Sequence, residues 1–91
     1  MKIPKKVKVG GRIYSIKFVE RINDKDDLGE SVHSSLTIKI KKGKQASMEE
    51  IFWHEVLHCI NGSWSEEFIC GLSGDIHGLL KDNPKLLYEK N

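Results

Sequence analysis

The sequence predicts an α+β domain: a small three-stranded antiparallel sheet followed by two antiparallel helices. Three observations carry that expectation. Apolar and polar residues alternate through residues 5–19 and again through 35–41, the period of a half-buried strand. From residue 48 onward the apolar spacing lengthens to threes and fours, the period of a helix. Asn61-Gly62 then interrupts the helical pattern with a connection so short that the second helix must fold back beside the first.

The first strand pair is a hairpin. Val7 and Val9 alternate with lysines, Gly10-Gly11 is a two-residue turn signal, and Tyr14, Ile16 and Phe18 alternate after it. Lysines on the other face keep the pair solvated, as lysine commonly protects an edge strand; the basic residues here are Lys5, Lys6, Lys8, Arg12 and Lys17. A basic ribbon for nucleic acid is the rival use of the same residues. Residues 23–30 read as an acidic, solvated turn. Asp24, Asp26 and Gly29 match positions one, three and six of a Ca²⁺ loop, but Leu28 and Ser35 fail at positions five and twelve. The third strand covers 35–41, with Leu36, Ile38 and Ile40 inward and Thr37, Lys39 and Lys41 outward.

Helix one is expected over 48–60. Ser47 and Glu50 form a capping box, and Asn61-Gly62 ends the helix with a left-handed glycine cap or a turn. Phe52, Val56, Cys59 and Ile60 share its apolar side. Helix two is expected over 64–81, with an apolar stripe of Phe68, Leu72, Ile76, Leu79 and Leu80, and Asp82-Asn83-Pro84 stops it.

The 91 residues make one small domain spanning 1–91, with 38% apolar and 31% charged residues, the composition of a globular chain. A chain of this size buries only about 60–65% of its unfolded surface, so a metal tying two helices together would help hold it folded. The formal charge of +2 does not by itself argue for nucleic acid. No apolar run approaches a membrane span, and residues 1–6 lack the apolar core of a signal peptide. These features point to a cytoplasmic protein in which Cys59 and Cys70 are reduced thiols rather than a disulfide.

The chemistry lies in residues 51–60, Ile-Phe-Trp-His-Glu-Val-Leu-His-Cys-Ile. On a helix, His54 and His58 lie one turn apart on one face and can present two imidazole nitrogens to one Zn²⁺. Glu55 between them is placed as general base toward a zinc-activated water. Outside His54, Glu55 and His58, no residue of this stretch carries a charge, so the core has its own stripe and the histidines are free to bind metal.

Catalytic zinc usually takes a third protein ligand. The long-histidine zincin pattern fails, because Asn61 and Trp64 occupy its glycine and third-histidine positions. Glu66, Glu67 and His77 on helix two remain. On the helical wheel, Glu66 sits roughly 100° from the centre of the apolar stripe and Glu67 roughly 160° away, so Glu66 can reach a neighbouring helix. Glu66 is the ligand of choice and Glu67 the reserve. The competing use of Glu66 is as the last member of a Ser63-Trp64-Ser65-Glu66 capping box. His77 shares the edge with Glu66 but lies roughly 16 Å along the axis, too far for the same ion. Its candidate catalytic role is to stabilise an oxyanion in the cleft, against the alternative of a surface histidine. His33, just before the third strand, carries the same two alternatives.

Residues 51–58, then Ser65-Glu66-Glu67-Phe68-Ile69, then Asp82-Asn83-Pro84, together with the Gly10-Gly11-Arg12-Ile13-Tyr14 hairpin, resemble the minimal gluzincin metallopeptidases of phages and prophages. Those are similar in turn to the ImmA/IrrE-type peptidases. The resemblance implies a small antiparallel sheet with an active-site helix and a glutamate-bearing helix. It implies zinc held by His54, His58 and Glu66, with Glu55 as general base. One departure is Cys70, which stands where such proteins often place an acidic residue that orients a zinc histidine. Another is His77, where the family often has Tyr.

The expected function is therefore zinc-dependent peptide hydrolysis, on a peptide or protein substrate in the host cytoplasm if the chain is phage-encoded. The alternative is a non-catalytic zinc-binding protein that captures a host or phage partner.

Overall fold

The computed structural model describes residues 1–22 and 27–87. It is an α+β fold: a four-stranded mixed sheet packs against the first helix, and the second helix packs on the first. The strands are β1 (Lys6–Val9), β2 (Arg12–Val19), β3 (Gly29–Val32) and β4 (Thr37–Lys41). The helices are α1 (Gln45–Ile60) and α2 (Glu66–Asp82), with a closing 3₁₀ turn at Pro84–Leu87.

β1 and β2 form the expected hairpin, with Val7 opposite Tyr14 and Val9 opposite Arg12. Gly10 and Gly11 both take positive φ, 57° and 80°, the backbone that a two-residue turn between twisted strands demands. The topology then departs from three antiparallel strands. The order is β1-β2-β4-β3, and β4 runs parallel to β2. β4 takes the inner position because Ile38 and Ile40 are both 0% exposed and need cover on each side. The polar segment Gly-Glu-Ser-Val forms β3 at the edge, antiparallel to β4. The acidic-turn expectation for 23–30 therefore fails at Gly29 and Glu30. The Ca²⁺-loop positions at Asp24 and Asp26 lie outside the described residues. The third strand begins at Thr37 rather than Ser35, because Leu36 turns the chain with φ 50°.

Tyr14, Ile16, Ile38 and Ile40 from the sheet meet Phe52 and Val56 from α1 to make the core. α1 starts three residues earlier than the capping box implied. Lys44 is its N-cap without a side-chain bond, and Gln45 Nε2 donates to Glu49 Oε2 at 3.0 Å across the added turn. Asn61 ends α1, and Gly62 is not in the left-handed region. Ser63 Oγ is held by Asn61 Oδ1 at 2.6 Å, so Ser63 belongs to the turn. Ser65 caps α2 by accepting from Phe68 N at 3.1 Å. Glu66 is thus the first residue of α2 and not the closing member of a capping box.

α2 is also rotated from its expected phase. Ile69 and Ser73 are its buried residues, whereas Phe68 and Leu79 of the predicted stripe are 50% and 54% exposed. Ile60 of α1 is likewise exposed. Among the described residues, no helix is long and apolar enough to cross a membrane.

Candidate metal centre and cleft

α1 and α2 bring His54, His58 and Glu66 together. The two imidazoles stand one turn apart with centroids 4.8 Å apart and Nε2 atoms 3.1 Å apart. Glu66 reaches across from α2, with Oε1 2.7 Å from His54 Nε2 and Oε2 3.0 Å from His58 Nε2. All three groups offer a ligand atom within 4.8 Å of one another. Tetrahedral zinc with bonds of about 2.0–2.1 Å sets its ligand atoms about 3.3 Å apart, so a relaxation of a few tenths of an ångström admits the ion. Two imidazoles and a carboxylate are also the donor chemistry zinc takes in catalytic sites. The residues fit the metal. Glu67, the next residue of α2, is not in the group.

The group opens on a cleft of about 900 Å³ between β3, α1 and α2. Glu55 lines it although the residue is only 6% exposed. Ser31 Oγ on β3 donates to Glu55 Oε1 at 2.7 Å. Burial pushes the Glu55 carboxyl above its ordinary range, and the Ser31 bond and the two nearby histidines pull against that rise. A carboxylate raised in this way is a better proton acceptor near neutral pH. Gly29 permits the approach: a Cβ there would stand 2.8 Å from Glu55 Oε2 and 2.6 Å from Ile51 Cγ2.

Cys70 lies one turn beyond Glu66, with Sγ 3.9 Å from both Glu66 Oε1 and His54 Nδ1. Although Cys70 is exposed, partial desolvation and then the Glu66 charge push its thiol pKa up. Cys59 and Cys70 are both free thiols, as expected.

His77 does not reach the cleft. Because α2 runs back along α1, three turns carry it toward the start of α1. There its Nε2 sits 3.2 Å from Glu49 Oε1 and it lines a separate pocket with Met1, Gln45 and Leu80. The oxyanion role expected of it has no counterpart in this position. His33 does line the cleft, and its Nδ1 is 3.1 Å from the Tyr14 hydroxyl.

Ser31 was not singled out from the sequence, and Gly29 was read only as position six of a Ca²⁺ loop. The available signal was their spacing: Gly29 and Ser31 are small residues at alternate positions, which is one face of a strand.

Comparison with protein-family models, curated proteins and solved structures finds no match for this chain.

Proposed function

We propose that the protein is a zinc-dependent metallopeptidase of the gluzincin type. The observation that supports this most is the convergence of His54, His58 and Glu66 beside a buried, hydrogen-bonded Glu55 in one open cleft. Zinc, when bound by His54, His58 and Glu66, would lower the pKa of a water and polarise a peptide carbonyl. Glu55 takes the proton from the attacking water and passes it to the leaving amine. Ser31 holds one carboxylate oxygen and so fixes the orientation of the other. β3 pairs only with β4 among the described strands, so its other edge is free to hydrogen-bond an extended peptide. The substrate is accordingly a peptide or a flexible protein segment.

The test is cleavage of a mixed peptide pool, read by mass spectrometry. New termini that appear with the zinc-loaded protein, and vanish with a chelator and in Glu55→Gln, support the proposal. Zinc at one per chain without cleavage would sink it in favour of a non-catalytic zinc-binding module. Equal cleavage by Glu55→Gln would sink the role given to Glu55.

A further inference from the structure

β3 turns its odd-numbered residues toward α1. Gly29 lies against Ile51 and Glu55, and Ser31 bonds Glu55 with Cys59 Sγ 3.7 Å from its hydroxyl. The strand therefore travels along α1 toward its C-terminal end. His33 opens the turn that follows β3, and it lines the cleft with His54, Glu55, His58 and Gly62.

His33 is exposed, yet its ring is anchored. Tyr14, whose hydroxyl meets His33 Nδ1, is 2% exposed and packs in the core. The two rings meet edge to face with centroids 6.1 Å apart. A phenylalanine would fill the same core volume; the hydroxyl adds only its contacts at the rim of the cleft. The proton inventory favours one tautomer of His33. The Cys59 thiol and the Arg12 side chain also stand beside this hydroxyl, and Arg12 has only N–H groups to offer. Burial pushes the Tyr14 pKa up, so the hydroxyl keeps its proton. An imidazole nitrogen is a stronger acceptor than a thiol sulfur, so His33 Nδ1, 3.1 Å away, accepts the hydrogen bond from that proton in preference to Cys59. A neutral imidazole that accepts at Nδ1 carries its own proton on Nε2.

The geometry points to His33 as a catalytic residue: held at Nδ1 by Tyr14, it donates its Nε2–H to the scissile carbonyl oxygen of a peptide in the cleft. This inference rests on the peptidase function proposed above. No bond to His33 forms or breaks. It gives a hydrogen bond that strengthens as negative charge gathers on the oxygen, from the wall of the cleft opposite α2. Such a donor acts on turnover more than on ground-state binding.

Two measurements test it. The first is the ¹⁵N–¹H correlation spectrum of the histidine side chains, which reads the tautomer with or without metal. His33 is expected as the Nε2–H form in the wild type, and that preference is expected to weaken in Tyr14→Phe. An Nδ1–H form in the wild type overturns the inference. The second is steady-state hydrolysis of a peptide found by the pool screen. His33→Ala is expected to keep zinc at one per chain and to lower kcat by about 100-fold with little change in KM. Tyr14→Phe, which keeps the core ring, should lose less in the same direction. Undiminished kcat in His33→Ala overturns the inference and leaves the peptidase function standing. A wild type that neither holds zinc nor cleaves any peptide overturns both.

Discussion

Gly29→Ala separates the two halves of the candidate site. The Gly29 backbone is outside the left-handed region, so alanine adopts it without backbone strain and the effect of the new methyl is purely steric. The methyl would stand 2.6 Å from Ile51 Cγ2, 2.8 Å from Glu55 Oε2 and 3.1 Å from Glu55 Cγ. Comfortable contacts lie at about 3.5–4.0 Å, so both side chains must retreat by roughly 1 Å. Ile51 is partly exposed and can change rotamer. Glu55 is buried and held by Ser31, so it gives way only by losing that bond. Overpacking of this kind costs about 1–3 kcal/mol, which lowers the Tm of a domain this small by roughly 5–20 °C. His54, His58 and Glu66 are not touched by the methyl. The expected result is near-normal zinc content, a lowered denaturation midpoint and strongly reduced peptide hydrolysis. Stability within about 0.5 kcal/mol of the wild type together with unchanged hydrolysis would refute the role given to Gly29 and, with it, the tight seating of Glu55 against β3.

Gly71→Ala is the matching control: nothing lies within 4 Å of a Cβ at this exposed position in α2, so the variant should be more stable by about 0.5–1 kcal/mol in chemical denaturation. Glu66→Ala should weaken zinc binding by at least about 100-fold in a competitive chelator titration, whereas Glu67→Ala should leave it nearly unchanged. Glu55→Gln, freed of metal by a chelator, should be more stable than the wild type at pH 7. The folded state raises the Glu55 pKa from 4.5, so the stability linked to its protonated form is fully present below pH 4.5 and lost as pH rises through the folded value. The advantage of the glutamine should accordingly shrink as the pH falls toward 4, and a constant difference across that range would contradict the shift. Chelation should also raise amide hydrogen exchange in α2 before it does so in β2 and β4. Among the described residues α2 packs only on α1 and the closing 3₁₀ turn, and uniform loss of protection would argue against a metal clamp between the helices.

The hairpin was legible because Gly10-Gly11 fixes a turn and the flanking residues alternate without interruption. His54, Glu55 and His58 were legible because four-residue spacing on a helix is a local property. β3 was not, because Gly-Glu-Ser-Val has no apolar alternation, and its pairing with β4 makes it a strand. The parallel pairing of β2 and β4 was equally hidden: a period of two records which face a residue occupies, not the direction of the neighbouring strand. His77 was misplaced for a related reason. The helical wheel put it on the edge shared with Glu66, but which end of the groove that edge meets depends on how α2 crosses α1.

The phase of α2 shows how the site and the fold compete. Its most apolar face, centred on Phe68, Leu72 and Leu79, is not the one turned to α1. Phe68 and Leu79 are left about half exposed, and each gives up on the order of 1 kcal/mol of burial. The face that packs instead carries Glu66, Ile69, Ser73 and His77, in which Ile69 is 0% and Ser73 1% exposed. A rotation that buried Phe68 would swing Glu66 away from His54 and His58. Without metal, the observed phase is held by Ile69, by the Ser65 cap and by close polar contacts from His54, His58 and His77 to carboxylates of the facing helix. Those contacts are modest, the cap contributing about 1 kcal/mol. An ion bound by His54, His58 and Glu66 would favour the same rotation, since all three ligands can meet only in it. Metal affinity and the docking of α2 are then linked, and each strengthens the other.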